Sequence, residues 1–156
     1  MMKTAILGAQ IWHADAWRDD VSIIVQDGVI TALLPASACP QDASVERLEG
    51  GYLLPGFIDT QVNGGGGVLF NDVPTLEGVE AIAAAHGRFG TTALLPTLIS
   101  DEFAVIEAGI RAIDAAITAG VPGVIGVHIE GPFLNPDKHG IHDATKFRSL
   151  DDAGIA

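Results

Sequence analysis

The chain has 156 residues and a mass of 16.1 kDa, with 48% apolar residues and a mean hydropathy of +0.36. This composition provides enough apolar side chains for a buried core and excludes intrinsic disorder. Eight Lys and Arg residues against twenty Asp and Glu give a formal charge of −12, which argues against a surface that binds nucleic acid. The single cysteine, Cys39, cannot form a disulfide framework, and the opening residues lack both a signal-peptide core and a membrane span. We therefore expect a cytoplasmic protein that contacts no membrane.

The first third of the sequence predicts a small antiparallel sheet. Strands are expected at residues 4–12, 22–26, 29–34 and 44–48. The pair Asp27-Gly28 between the second and third of these strands favours a tight hairpin. A linker containing two prolines then leads to a double glycine, so we place a domain boundary near Gly51 and assign residues 1–51 to the first domain.

Residues 52–156 follow another pattern, in which apolar runs alternate with helical periodicity. Strands are predicted at 52–63, 92–98 and 123–130, and helices at 76–89 and from about 101 to Gly120. Thr75 and Ser100 are the expected N-caps of the two helices. The second helix repeats apolar residues at Phe103, Ile106, Ile110, Ile113 and Ile117. The order βαβαβ is typical of parallel strands with crossover helices, in a doubly wound sheet or a barrel.

A complete (β/α)8 barrel needs about 250 residues, so we expect this sequence to be the front part of a longer fold.

Polar residues follow the first of these strands. Asp59, Gln61 and Asn63 alternate and therefore share one strand face at its carboxyl end, where active sites of α/β proteins lie. Spacing alone leaves a ligand contact and simple pairing with loop backbone equally open. The glycine run at 64–67 does not form a GxGxxG motif, because Leu69 stands at the last glycine position, so a permissive turn is expected.

Glu130 ends the third strand, two residues after His128 on the same face. Burying an ionised carboxylate is costly unless a cation or hydrogen bonds compensate, so Glu130 is interpreted as a metal ligand, a catalytic acid or a member of a structural ion pair. His128 is expected to be a hydrogen-bonded core residue. His139 and His142 lie on a glycine-containing loop without helical periodicity, which favours a substrate contact or a solvated histidine over a metal site.

Three segments together resemble the N-acetylglucosamine-6-phosphate deacetylases of the amidohydrolase superfamily. They are LLPGFIDTQVNGGGGVLFND at 53–72, TTALLPTLIS at 91–100 and GVHIEGPFLNPDKHGIHDATKFR at 126–148. The resemblance covers essentially the whole chain. It implies an incomplete α/β fold, in which half of a small β-sandwich at 1–51 precedes the first three βα units of a TIM-like (β/α)8 barrel at 52–156.

The resemblance also implies a metal site. Many amidohydrolases carry PGFID-x-H-x-H at this point, and the two histidines bind one metal of a pair. Gln61 and Asn63 occupy those positions here, which implies one divalent ion, zinc or iron-like, in place of a binuclear centre. The implied metal ligand is Glu130, and the implied substrate contacts are Ile141 and His142, the histidine polarising the acetamide carbonyl.

The remaining ligands and the catalytic base are expected beyond Ala156, so the resemblance assigns no catalytic residue to this chain. The implied activity is metal-dependent hydrolysis of N-acetylglucosamine 6-phosphate to glucosamine 6-phosphate and acetate, a step of amino-sugar catabolism. The complete protein is expected to be a homodimer, and residues 1–156 alone are expected to be inactive. Two alternatives stay open: an amidohydrolase that acts on a cyclic amide or another N-acetyl sugar, and a truncated, non-catalytic interaction module.

Overall fold

The computed structural model describes residues 2–151 of the chain. The chain divides into two compact units, Met1–Pro55 and Gly56–Ala156. The first unit consists of short strands, and the second combines helices with a parallel sheet. Within residues 2–151, no helix is long and apolar enough to cross a membrane.

Two sheets make up the first unit. Its strands are β1 (Lys3–Leu7), β2 (Gln10–His13), β3 (Ala16–Arg18), β4 (Val21–Gln26), β5 (Val29–Pro35), β6 (Ser44–Arg47) and β7 (Tyr52–Leu53). One sheet has the order β5-β4-β1-β6 and the other the order β3-β2-β7. In the first sheet Ala5, Leu7 and Ile24 form a small buried cluster.

The predicted strand at 4–12 is wrong as a single strand, because Gly8 divides it into β1 and β2. Gly8 has φ +97°, and a Cβ at this position would lie 2.3 Å from the carbonyl oxygen of Leu48. The predicted hairpin is confirmed, since β4 and β5 pair antiparallel and Gln26 lies opposite Val29. Strand β3 was not predicted, because all three of its residues are exposed and give no alternating pattern.

The second unit is built on three parallel strands. Its elements are β8 (Phe57–Val62), β9 (Gly64–Gly65), β10 (Val68–Leu69), α1 (Leu76–Gly87), β11 (Thr91–Ile99), α2 (Phe103–Ala119) and β12 (His128–Glu130). The sheet order is β12-β11-β8, and both pairings are parallel. The predicted βαβαβ order is therefore confirmed. The glycine run forms the short β9–β10 hairpin, so the expected turn is confirmed as well.

Two of the predicted strands in this region are shorter in the structure. The strand predicted at 52–63 is interrupted at Pro55, which has no N–H to donate to a neighbouring strand. It is also interrupted at Gly56, which lies so close to Thr92 that a Cβ on residue 56 would be 2.1 Å from Cγ2 of Thr92. Of the strand predicted at 123–130, only His128–Glu130 forms a strand, β12. Ahead of β12, Val124 forms an isolated parallel bridge with Leu94.

Both helices contribute apolar residues to one core. Helix α1 begins as predicted at Thr75, whose side chain accepts a hydrogen bond from the N–H of Gly78. Gly109 of α2 lies against the fully buried Leu98 of β11, and a Cβ on Gly109 would lie 2.6 Å from Cδ1 of Leu98. Helix α2 thus reaches this close to the sheet because residue 109 has no side chain.

The apolar repeat predicted for α2 is only partly buried. Ile106 and Ile113 belong to the core, whereas Phe103, Ile110 and Ile117 are between 41% and 48% exposed. The buried face is completed by small residues, namely Gly109, Ala112 and Ala116.

The prediction that Ser100 caps α2 is wrong. The helix begins at Phe103, and its N-cap is Glu102, whose side chain makes no capping hydrogen bond. Ser100 lies outside the cap position because two further residues separate it from the helix. Its buried hydroxyl contacts His142 instead. Helix α2 ends at Gly120 in the left-handed conformation, as predicted.

Candidate functional site

Three polar side chains meet at the carboxyl end of the parallel sheet. Gln61 lies on β8, Glu130 ends β12, and His142 lies on the loop that follows β12. Nε2 of Gln61 donates to Oε2 of Glu130 at 2.8 Å, and Nε2 of His142 lies 3.4 Å from Oε1 of Glu130. Each oxygen of the carboxylate therefore has one nitrogen neighbour. The Glu130 side chain remains 33% exposed, so this group is accessible to a ligand.

His142 is the most buried member of the site, at 7% exposure. Its Nδ1 accepts a hydrogen bond from the peptide N–H of Ser100 at 3.2 Å and lies 2.9 Å from the Ser100 hydroxyl oxygen. The ring of Phe147 lies beside it, with the two ring centroids 6.3 Å apart. The imidazole is thus held by the end of β11 on one edge and faces Glu130 with the other.

Thr97 joins the three strands beneath the site. Its fully buried hydroxyl accepts from the N–H of Val62 at 2.9 Å, donates to the carbonyl of Leu95 at 3.1 Å and lies 3.3 Å from Nδ1 of His128. The β8–β11 register shifts at this point, next to Pro96. A side-chain oxygen therefore pairs with a strand N–H where the regular ladder is interrupted. The predicted hydrogen bond of His128 is confirmed by this contact, but the predicted core position is wrong, because His128 is only half-buried.

Asn71 fixes the end of β11. Its side-chain oxygen accepts from the N–H of Ile99 at 3.0 Å, and its Nδ2 donates to the carbonyl of Ile99 at 3.1 Å and to Oδ2 of Asp101 at 3.0 Å. The segment on both sides of Ser100 is thereby tied to the loop that precedes α1. The sequence predicts neither the role of Asn71 nor the contact of Ser100, because neither residue shows a spacing pattern.

Ion pairs attach the loop after β12 to the start of α2. Lys146 Nζ lies 2.9 Å from Oε1 of Glu102, and Arg148 Nη2 lies 3.1 Å from Oε2 of the same residue. The hydrogen bond from Lys146 lowers the pKa of Glu102, and the same bond raises the pKa of Lys146. The guanidinium of Arg148 also lies 5.9 Å from the ring centroid of Phe103. This loop carries His142, so the ion pairs support its position.

The other predicted site residues lie around this centre. Asp59 accepts a hydrogen bond from the N–H of Gln61 at 3.1 Å, within its own strand. Asn63 follows β8, and its carbonyl accepts from the N–H of Phe70 at 2.9 Å. Ile141 is 89% exposed, in contrast to the adjacent His142. The structure therefore brings Gln61, Glu130 and His142 together and leaves Ile141 at the surface.

A complete metal site is not formed by the described residues alone. Across residues 2–151, no group of three or more His, Cys, Asp or Glu side chains is arranged to hold a metal ion. A catalytic zinc ion typically has about three protein ligands. Glu130 supplies one anionic, partly exposed carboxylate at the sheet end.

Known proteins with similar sequences are deacetylases of phosphorylated amino sugars. The N-acetylgalactosamine-6-phosphate deacetylase of Shewanella sp. (strain ANA-3) is 43% identical over 145 residues, which are 92% of this chain and 37% of the relative. The N-acetylglucosamine-6-phosphate deacetylase of Haemophilus influenzae is 30% identical over 149 residues, 96% of this chain and 39% of the relative. The chain is homologous to the N-terminal part of these deacetylases. It spans 37–40% of the length of the Shewanella, Haemophilus influenzae and Escherichia coli relatives.

Solved deacetylase structures share the fold. The N-acetylglucosamine-6-phosphate deacetylase from Pasteurella multocida superposes with a TM-score of 0.92 at 28% identity, over 99% of this chain and 41% of that chain. The enzyme of the same name from Mycobacterium smegmatis gives a TM-score of 0.79 at 24% identity, over 99% and 42% of the two chains. No protein-family profile matches the chain. The fold is therefore that of the corresponding part of a deacetylase.

Proposed function

We propose that the whole protein carrying this chain hydrolyses the acetamide of N-acetylglucosamine 6-phosphate to glucosamine 6-phosphate and acetate. The observation that supports this best is the contact of Gln61 and His142 with the two oxygens of Glu130 at the carboxyl ends of parallel strands. Enzymes with parallel α/β sheets bind their substrates at this edge. The deacetylase names of the relatives support this substrate class.

Glu130 is proposed as the metal ligand that this part of the protein contributes. Gln61 is a neutral amide, so its hydrogen bond orients the carboxylate without cancelling its charge. A divalent ion bound there would polarise the acetamide carbonyl and favour ionisation of the attacking water. Because residues 2–151 hold no complete ligand set, the other ligands and the base are assigned to other parts of the whole protein.

His142 is proposed as a hydrogen-bond donor to the acetamide oxygen. Its imidazole is buried and held by Ser100, so it has a defined orientation before substrate arrives. A donor that is already oriented stabilises the negative charge that develops on this oxygen during water attack. Ile141, which is exposed next to it, is proposed to contact the sugar.

The fold of the whole protein is the second part of the proposal. We infer that β8, β11 and β12, with helices α1 and α2 between them, are the first strands of a TIM-like (β/α)8 barrel. The first unit, with its two small sheets, is proposed as half of the β-sandwich that accompanies this barrel. The single-metal site and a homodimer of the whole protein are part of the same proposal.

The galactosamine epimer is the second candidate substrate. The relative with 43% identity is named an N-acetylgalactosamine-6-phosphate deacetylase, as is the Escherichia coli O157:H7 relative with 33% identity. The two substrates differ only in the configuration of one sugar hydroxyl, so the acetamide chemistry at Glu130 and His142 would be the same.

Acetate release by the purified whole protein tests the proposal. It should be measured with both N-acetylhexosamine 6-phosphates, with unphosphorylated N-acetylglucosamine and with a cyclic amide. A kcat/KM at least about tenfold higher for the phosphorylated sugars than for the unphosphorylated sugar and the cyclic amide would support deacetylation of an N-acetylhexosamine 6-phosphate. The preferred epimer would then decide between the first and the second candidate substrate. Preferential hydrolysis of the cyclic amide would instead favour another amidohydrolase. A folded, metal-loaded protein that hydrolyses none of the four compounds would favour a non-catalytic module.

A further inference from the structure

Ser100 places its peptide N–H and its hydroxyl against the same atom of His142. Its peptide N–H lies 3.2 Å from Nδ1, and its hydroxyl oxygen lies 2.9 Å from Nδ1. Both residues are buried, Ser100 at 4% and His142 at 7% exposure, although they are 42 positions apart in the sequence. Ser100 lies just past the end of β11, where its N–H has no partner in the strand ladder.

This arrangement selects one tautomer of the imidazole. A peptide N–H can only donate, so Nδ1 must offer its lone pair and cannot carry a proton. A proton on Nδ1 would leave the buried N–H of Ser100 facing another N–H, and an unpaired buried donor is costly. The ring proton of neutral His142 therefore lies on Nε2, the atom 3.4 Å from Oε1 of Glu130.

We propose that Ser100 is a positioning residue, which fixes His142 as the Nε2–H tautomer and so presents a donor at the Glu130 edge of the site. The tautomer follows from the contacts themselves. Its use in catalysis rests on the proposed function, because only there does His142 donate to the acetamide oxygen. With the proton on Nδ1, the same ring would present a lone pair to that oxygen and repel it.

Neighbouring groups restrict the position of Ser100 from two sides. Asn71 holds both the preceding residue, Ile99, and the following residue, Asp101, through three hydrogen bonds. Gly131 lies against the hydroxyl, since a Cβ on Gly131 would be 2.1 Å from the Ser100 oxygen. The peptide N–H and the hydroxyl of Ser100 are thus held next to Nδ1 by contacts that do not involve His142.

The tautomer can be read directly by ¹⁵N NMR of the metal-free whole protein labelled at histidine. The resonances of His142 are assigned by their absence from the spectrum of His142→Gln. We expect Nδ1 of neutral His142 to give the shift of an unprotonated ring nitrogen and Nε2 that of a protonated one. The opposite assignment would overturn the proposal. This measurement needs no activity, so it stands even if the whole protein hydrolyses no amino sugar.

Ser100→Ala tests the contribution of the side chain, with Ser149→Ala as the control on the same loop as His142. Loss of the hydroxyl should shift the Nδ1 resonance further from the protonated position, because Nδ1 loses one hydrogen bond while the peptide N–H of residue 100 still requires its lone pair. It should also lower kcat roughly fivefold, the effect of one ordinary hydrogen bond. KM should change less than about twofold, because the donor acts mainly in the transition state. Unchanged ¹⁵N shifts and kcat in Ser100→Ala would overturn the proposal. A moved resonance with wild-type kcat would overturn its catalytic part.

Discussion

Gln61 donates to Glu130 across a strand that lies between them. Nε2 of Gln61 is 2.8 Å from Oε2 of Glu130, yet the sheet order places β11 between β8 and β12. Neighbouring strands are about 4.8 Å apart, so these two side chains together span about 10 Å of sheet. The bond orients the carboxylate. It also connects the two outer strands directly at the edge where we place the site.

The metal content of the whole protein should depend on Glu130. Glu130→Gln removes the anionic oxygen while preserving the size of the side chain, so we expect loss of bound metal and of nearly all acetate release. Elemental analysis of the purified variant, against one metal ion per wild-type chain, checks this. Glu107→Gln is the control, because Glu107 is exposed on α2 and pairs only with Arg111 among the ion pairs described for residues 2–151. A Glu130→Gln protein that keeps its full metal content would contradict the ligand assignment.

His142→Ala should separate substrate activation from metal binding. The variant should retain the metal, and its deacetylation rate should fall by a factor of about 10² to 10³, which is typical of losing one donor to a developing oxyanion. Parallel metal analysis and kinetics decide between the roles. His139→Ala changes an exposed histidine of the same loop and should behave as wild type. Coincident loss of metal and activity in His142→Ala would show that His142 is a ligand.

Gly131→Ala should disturb the site through contact as well as through backbone strain. Gly131 has φ +99°, and its added Cβ would lie 2.1 Å from the hydroxyl oxygen of Ser100. Gly140 also has a positive φ, +58°, but a Cβ there would meet nothing within 4 Å. We expect Gly140→Ala to cost about 1 kcal/mol of stability through strain, and Gly131→Ala to cost at least about 2 kcal/mol. Thermal unfolding of both variants measures the difference, and equal losses would argue against the contact.

The hydroxyl of Thr97 should protect the backbone amide of Val62. Thr97→Val keeps the shape of the side chain but leaves the Val62 N–H without its acceptor, which costs about 1–3 kcal/mol for a buried donor. Hydrogen exchange at the Val62 amide should therefore accelerate in Thr97→Val. Thr97→Ser retains the hydroxyl and should keep most of the protection. Similar exchange rates in wild type and Thr97→Val would contradict this role.

The attachment of the loop at 143–148 to α2 should weaken in acid. The pKa of Glu102 is lowered in the folded protein, so its ion pairs contribute fully above the ordinary glutamate value of about 4.3 and are lost as the pH falls through the lower, folded value. The pKa of Lys146 is raised, so its contribution is present below about 10.4 and is lost as the pH rises through the higher, folded value.

Amide exchange of residues 143–148, followed from pH 6 down to pH 3, measures the acid side of this dependence. Glu102→Gln should reduce the pH-dependent step, and the part that remains is expected from Asp143, whose pKa is lowered by its hydrogen bond from the Thr145 side chain, and from Asp101, which lies 3.8 Å from Lys146. High salt should weaken the attachment in the wild type because the groups are exposed. Glu107→Gln again serves as the control. A step of the same size in Glu102→Gln would assign the effect to another carboxylate.

The periodic parts of the fold could be predicted from the sequence. Apolar runs and helical spacing predicted β8, β11, α1 and α2, because burial on a sheet imposes these patterns locally. The same signal failed where one residue interrupted an otherwise regular run, as at Gly8 and Pro55. It also overestimated the burial of α2, since Phe103, Ile110 and Ile117 match the period and yet remain exposed. Spacing shows which residues share a face and not which face the sheet covers.

The site could be predicted only in part, for a related reason. Glu130 was singled out by its position at a strand end, Gln61 because it alternates with polar neighbours at a strand end, and His142 only through the resemblance of the segment at 126–148 to the deacetylases. Ser100 and Asn71 were missed because their partners are distant in sequence: Ser100 contacts a residue 42 positions away and Asn71 one that is 28 positions away. Such pairs depend on tertiary contacts, and Ser100 was assigned to the nearest helix because a local capping rule applied.

The close contact of Gly109 with Leu98 restricts the order in which these two positions can change during evolution. An alanine at position 109 would favour the helix by about 1 kcal/mol, but its methyl group would lie 2.6 Å from Cδ1 of the fully buried Leu98, which would have to shift. If residue 98 first became smaller, the cavity left behind would cost stability and a later alanine at 109 would partly refill it. A smaller residue at position 98 followed by alanine at position 109 is therefore the feasible order, whereas alanine at position 109 first would destabilise the core. Relatives that carry a side chain at position 109 should also carry a smaller residue at position 98.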